Sequence, residues 1–251
     1  MIDMPDFFLD RLRAEPIAET VPGSLPVLFF GNFFAASIAT VGLNPSLQEY
    51  LSPGGEELDG PGRRFETLRS LGVPSRSSLS DEHAVQAMAR MRGYFECGKP
   101  VYRWFGGLSR VVQGMGFSFT EGCAVHLDLL QEATDPTWSR LRPTARTMVL
   151  GRDLQFLRRQ IEEFPLRAVV CTSRRVLDEV NQMLSATVVA QGKLERVRWT
   201  VGIAGTPRGS VGIVGWNIPL ARPTGLTGDG QVHLGQLLAT QLERAGVALR
   251  G

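Results

Sequence analysis

Four short stretches of this chain end in residues whose types could do chemistry. The apolar run that reaches Val41 stops on Gly42-Leu43-Asn44-Pro45-Ser46, which continues neither a sheet nor a helix and presents a carboxamide and a hydroxyl. A second run, GCAVHLDLL, carries His126 and Asp128 two residues apart, on one face of an alternating strand, before the polar QEATDPTW. The third leads into Cys171-Thr172-Ser173-Arg174, and the fourth into GWNIPLARPTGLTGDG, where Arg222 precedes Pro223. Brought together, these ends would line a pocket with an amide, a carboxylate, hydroxyls and guanidinium groups, edged by glycines and prolines that hold backbone close to a ligand.

For the ends to meet, the runs before them must be neighbouring strands. Residues 37–42, 123–130, 167–172 and 211–216 read as four short buried strands separated by helical patterns. That predicts an α/β fold, a three-layer α/β/α sandwich around a central, largely parallel four-stranded sheet. In such sheets ligands bind beyond the carboxyl ends of the strands, where all four polar stretches fall. Helical spacing is expected over 5–14, 63–71, 80–96 with a cap at Ser80-Asp81, 102–113, 150–164, 174–184 and 233–248. A hairpin turning at Gly31-Asn32 is expected ahead of the first strand, and RVRWTVGIAG and SVGIVGW as late strands around a turn at Thr206 to Gly209. SPGGEELDGPG, at 52–62, reads as loop. With no repeat and no linker in view, 1–251 is read as one domain.

Composition excludes some classes. The 27 basic residues against 25 acidic ones leave a formal charge of +2, far from the charge density of a general polyanion binder. Lys99 and Lys193 are the only lysines, so almost all the positive charge is guanidinium, the better fork for phosphate and the better flat cation beside a base. Cys97, Cys123 and Cys171 are odd in number, far apart and in no metal spacing. They argue against an oxidising compartment, a structural zinc and a four-cysteine iron–sulfur cluster, and no cofactor is expected. The opening MIDMPDFFLDRLRAEP interrupts its apolar stretch with acids, unlike a signal peptide, and no apolar run reaches membrane-spanning length. A cytoplasmic, monomeric protein with no membrane partner is the expectation. The aromatics of YRWF (102–105) and Trp138 are assigned to packing.

Taken in order, the motifs resemble those of the uracil-DNA glycosylase superfamily. Its first motif follows the first central strand as a glycine, two variable positions and a proline, and its mismatch-specific and single-strand-selective branches place Asn before that proline; Gly42, Asn44 and Pro45 are similar. GPGRRFETL is similar to the mismatch-specific branch's Gly-Pro-Gly loop two residues before an aromatic that starts a helix. The last motif, His-Pro-Ser or Asn-Pro-Ser followed by Pro or Gly and then Leu, resembles Arg222-Pro223-Thr224-Gly225-Leu226, which departs at its first position.

The resemblance implies a monofunctional enzyme that flips uracil out of DNA and hydrolyses its N-glycosidic bond, initiating base excision repair, with uracil-containing or abasic DNA as partner. By resemblance, Asn44 would hold the attacking water, and Arg222, in place of the family's His, would donate to the uracil O2. Asp128 stands about where relatives place the Asn that reads N3–H and O4. It is a general base, a protonated reader or a structural acid, and these stay open. Gly42, Leu43, Pro45 and Ser46 would form the uracil pocket, with Phe65, or its rival Tyr50, stacking on the base. His126 either orients Asp128 or is a core histidine. Thr172, Ser173, Arg174, Pro223, Thr224 and Gly225 would contact DNA, and Leu226 would wedge into the duplex. Two other readings are a same-fold glycosylase for other deaminated or mismatched bases, and a non-catalytic binder of abasic or damaged DNA.

Overall fold

The computed structural model describes residues 5–96, 98–99, 101–218 and 226–249, apart from the side chain of Met148. They fall into two compact units interleaved along the chain, the first taking residues 1–30, 43–101 and 128–157, the second 31–42, 102–127 and 158–251. The strands are β1 (Ile38–Gly42), β2 (Ala124–Asp128), β3 (Ala168–Cys171), β4 (Thr187–Leu194), β5 (Val197–Thr206) and β6 (Gly209–Trp216). The α-helices are α1 (Asp6–Arg13), α2 (Leu68–Leu71), α3 (Asp81–Arg92), α4 (Phe105–Gly114), α5 (Pro143–Glu163), α6 (Arg174–Met183) and α7 (Gly228–Arg244).

The second unit is an α/β structure around a six-stranded sheet in the order β2-β1-β3-β6-β5-β4. β1 pairs with β3 and β3 with β6 in parallel, Ile38 opposite Ala168 and Ala168 opposite Gly212. Ser37 N–H donates to Cys123 O and Thr40 lies against Val125 and His126, so numbering also rises together along β1 and β2. Every residue of β1, β2 and β3 is buried, His126 and Asp128 of β2 included. These are the four strands expected, but the sheet is not four-stranded: β5 returns antiparallel from β6, and β4 pairs antiparallel with β5. β4 went unread because TVVAQGKL lies at the sheet margin, its residues only exposed or half-buried.

Positions three apart in a strand face opposite sides. A side chain at Gly212 of β6 would strike Leu242 of α7, and one at Gly215 would meet Leu177 of α6, so α7 and α6 cover opposite faces. Helices α4 and α7 cross at backbone contact. A Cβ on Gly114 would lie 2.0 Å from the Val232 carbonyl oxygen, and one on Gly235 would lie 2.0 Å from the Val111 oxygen. Arg110 Nε adds a hydrogen bond of 2.7 Å to Gln231 across the same crossing.

In the first unit, α1 buries Phe7 and Phe8 against Phe156. The same helix buries Arg11, which enters an ionic cluster around Glu132 and Asp153, both without exposure to solvent. Glu132 Oε1 accepts from Arg11 at 3.0 Å, Arg76 at 2.8 Å and Arg152 at 3.1 Å, and Oε2 accepts from Arg76 at 2.9 Å. Asp153 accepts from Arg11, Arg152 and the Gln131 N–H. Burial would push the Glu132 carboxyl up, but the Arg76 hydrogen bonds and the charges of Arg11, Arg76 and Arg152 outweigh it and hold the group at about 2. This contribution to stability is complete above the ordinary value of 4.5 and is lost as pH falls from there through about 2.

Several local expectations are corrected. No hairpin turns at Gly31-Asn32. The chain before it lies along the segment after β2, through Val21 N–H to Ala133 O and Val27 N–H to Gln131 O, and Phe33–Ala35 form a 3₁₀ turn. RRFETLRSL yields only the single turn α2, because Thr67 and Ser70 form a capping box at its start and Gly72, at φ 68°, ends it. Helix α5 starts at Pro143 rather than 150, and α7 at Gly228 rather than 233, behind a Thr227 cap.

Two outcomes are expected. Glu132→Gln leaves the buried guanidinium groups of Arg11 and Arg76, and the half-buried one of Arg152, facing a neutral amide and should cost about 3–5 kcal/mol in urea-induced unfolding. Gly235→Ala forces α4 and α7 apart and should cost about 1–3 kcal/mol by the same measurement, whereas an alanine at the solvent-exposed Gly205 should change little.

Candidate functional site

In the first unit the turn after β1 is built from Leu43 onward. The Leu43 carbonyl accepts from Leu130 N–H. The half-buried Asn44 donates its Nδ2 to Pro45 O at 3.1 Å and to Glu132 O at 3.4 Å. Both partners are carbonyls, which only accept, so the amide can sit only with its nitrogen toward them. Its Oδ1 accepts no hydrogen bond from the described residues and is left to take one from a water or ligand. An Asp at this position would turn a carboxylate on the same two carbonyls. Capping of the following 3₁₀ turn, Leu47–Glu49, falls to Ser46, whose Oγ accepts from Gln48 N–H at 3.2 Å. Pro45 is buried between them.

The same loop holds an acid that the sequence reading passed over. Glu49 is 2% exposed, and both its oxygens lie 2.9 Å from the Tyr94 hydroxyl, with Arg64 Nε at 3.8 Å. Burial pushes its carboxyl up to about 7, against the Tyr94 hydrogen bond and the Arg64 charge, and the charge of Asp128 adds to the rise. Asp128, itself 4% exposed, is thus electrostatically coupled to Glu49. The signal was present as a carboxylate five residues after Asn44 in one short loop.

Phe65 is 1% exposed, stacked on Tyr94 with centroids 5.2 Å apart and edge-on to Phe30. Tyr50, beside it, donates its hydroxyl to Leu25 O and is equally buried. Both candidate stacking rings are core side chains, and a base could reach Phe65 only by displacing part of this aromatic cluster.

In the second unit, Gly42 closes β1, and Thr172 ties the end of β3 to it. The Thr172 N–H and Oγ1 both donate to Val41 O, at 3.0 and 2.9 Å, so the hydroxyl expected to meet a phosphate serves the backbone. Ser173 caps α6, accepting from Val176 N–H at 3.3 Å, and the exposed Arg174 pairs with both oxygens of Asp178 at 2.8 Å. Of the two readings of His126, its surroundings fit the core histidine. Its Nδ1 lies 2.7 Å from Thr40 Oγ1 and its ring is enclosed by Trp104 and Phe105, centroids 5.2 and 5.0 Å away, which is the environment of a core histidine. Leu226 stands just before the Thr227 cap of α7, against Gly230. Arg222, Pro223, Thr224 and Gly225 lie outside the described residues.

The candidates therefore divide by unit. Leu43, Asn44, Pro45, Ser46, Phe65 and Asp128 belong to the first, and Gly42, His126, Thr172, Ser173, Arg174 and Leu226 to the second. Among the described residues no cluster of His, Cys, Asp and Glu is placed to hold a metal ion, and no helix is long and apolar enough to cross a membrane. Compared with known proteins, the chain matches no family model and no curated protein.

Because the folded Glu49 carboxyl titrates near 7 and an unfolded one near 4.5, the folded protein binds more protons across that interval. This group therefore costs stability as pH rises through it. Glu49→Gln should flatten that dependence and be the more stable protein at pH 8, by on the order of 1–3 kcal/mol. Urea unfolding of both proteins at pH 5 and pH 8 checks the sign, and a larger advantage at pH 5 would contradict it.

Proposed function

We propose that the chain is a DNA glycosylase that excises uracil by hydrolysing its N-glycosidic bond, a monomeric, cofactor-free enzyme of the cytoplasm on a uracil-DNA glycosylase-like fold. One observation carries the reading: Asn44 is held by its nitrogen on two backbone carbonyls, with Oδ1 accepting no hydrogen bond from the described residues. A carboxamide so fixed can orient a water without taking its proton. It stands in the motif that resembles the superfamily's water-holding turn. The parallel β1, β2, β3 and β6 supply the four-stranded core that such a fold requires.

In this mechanism the nucleotide leaves the stack, and the bond from C1′ to the base breaks. The electron pair departs with uracil, and the sugar is left cationic. The water on Asn44 Oδ1 adds to C1′, and its proton passes to solvent, since an amide cannot hold it. Arg222 would meet the charge that gathers on the uracil O2, the kind of donor whose loss costs about 10²–10³ in rate. The Thr172 clasp on Val41 supports this reading by anchoring the strand end from which the motif departs.

Single-turnover release of free uracil from labelled single- and double-stranded oligonucleotides is the test. Wild type should release it, with Asn44→Ala and Arg222→Ala each slower by about 10²–10³-fold while folded. Asn44→Asp should also be slow and less stable, because it removes the donor that the two carbonyls require. Release of hypoxanthine or of thymine from T·G pairs, without uracil, would instead identify an enzyme for another base. Tight abasic-site binding without any release would identify a binder.

A further inference from the structure

One basic crevice in the first unit belongs to none of the motifs above. It is lined by Arg63, Arg64, Arg90, Lys99, Gly93 and Tyr94. The acids around it answer its charge incompletely. Arg63 lies 3.6 Å from Glu66 and 3.8 Å from the exposed Asp59, both beyond hydrogen-bond length, while Arg64 donates to the Gln48 carbonyl and lies 3.8 Å from Glu49. The Glu96 carboxylate lies against Gly93. Arg90 donates to the Arg63 carbonyl, and neither Arg90 nor Lys99 has a carboxylate partner among the described residues. Among the described residues, the buried Nε–H groups of Arg63 and Arg90 have no hydrogen-bond acceptor. Buried guanidinium donors without acceptors are costly, and a tetrahedral oxyanion supplies several acceptors at once.

We infer that this crevice is a subsite for a backbone phosphate of the nucleic-acid strand, with Arg63, Arg90 and Lys99 as its ligands. Tyr94 forms its floor and is kept from the anion by its hydrogen bond to Glu49. The inference rests on the reading of the chain as an enzyme of DNA. It places a strand contact just after the Gly60-Pro61-Gly62 turn, on the segment that the aromatic cluster of Phe65 and Tyr94 anchors.

The test is fluorescence anisotropy with a labelled uracil-containing single strand over a salt series, using wild type, Arg90→Gln and Lys99→Gln, with Arg208→Gln as a surface control. Lys99 is exposed, so its variant keeps the test open even if Arg90→Gln unfolds. Arg90→Gln and Lys99→Gln should each bind roughly 3–10-fold more weakly at low salt, with the slope of log affinity against log salt reduced by about 0.7, the value for one phosphate contact on a single strand, and Arg208→Gln should match wild type. Affinities within twofold of wild type and an equal slope, with uracil release intact, would overturn the subsite and leave the proposed activity standing. Loss of strand affinity in the variants of a protein that releases no uracil would keep the subsite and remove the glycosylase reading. A loss seen with labelled dUMP but not with the strand, or no strand binding by wild type at all, would overturn the assignment to a backbone phosphate.

Discussion

A carboxylate with no contact to water persists as an ion only if its charge is answered from inside, and around Glu132 three arginines do so. They arrive from α1, from the turn at Arg76–Ser78 and from α5, so one side chain ties together segments that are otherwise distant in the chain. The strength of the arrangement lies in its completeness. A network of this kind is weak support for stability when compared with an apolar core of equal volume, yet it penalises any arrangement that leaves one member behind. It thus selects a single mutual placement of these segments.

That placement reaches the chemistry through the backbone. The main-chain carbonyl of Glu132 is one of the two acceptors that hold the Asn44 nitrogen. With the Glu132 side chain fixed by guanidinium groups, its carbonyl has a defined position, the amide has a defined rotation, and the oxygen at the far end presents a defined lone pair. A reactive group is only as well placed as the residues supporting it. Here the support is ionic on one side and a proline carbonyl on the other.

The elements legible in the sequence were those whose cause is local. β1, β3 and β6 announce themselves as apolar runs and β2 by its alternation, and Ser80 announces a helix start because capping is a matter of three or four residues. β4 was not legible, since its half-exposed residues owe their strand to β5 alone. Asn44 was visible as a turn amide, but its orientation depends on a carbonyl 88 residues away. Arg11, Arg76, Glu132 and Asp153 each look like solvated charge in the sequence, and only their meeting, with Arg152 at its margin, makes them interior. His126 shared a strand face with Asp128, as spacing indicated, but Thr40, Trp104 and Phe105 decide its surroundings.

Among the described residues β4 also ends the sheet on a row of backbone groups with no further strand beside it, and it carries Val188 and Val189 nearly half exposed. What disturbs this margin is the irregular register between Val188 and Ala190, aided by the charge of Lys193. Such kinks and lysines keep a strand from serving as a template for a neighbour. A substitution that straightened β4, or an apolar residue in place of Lys193, would therefore threaten the protein through self-association at high concentration, with its fold and any catalytic groups left intact.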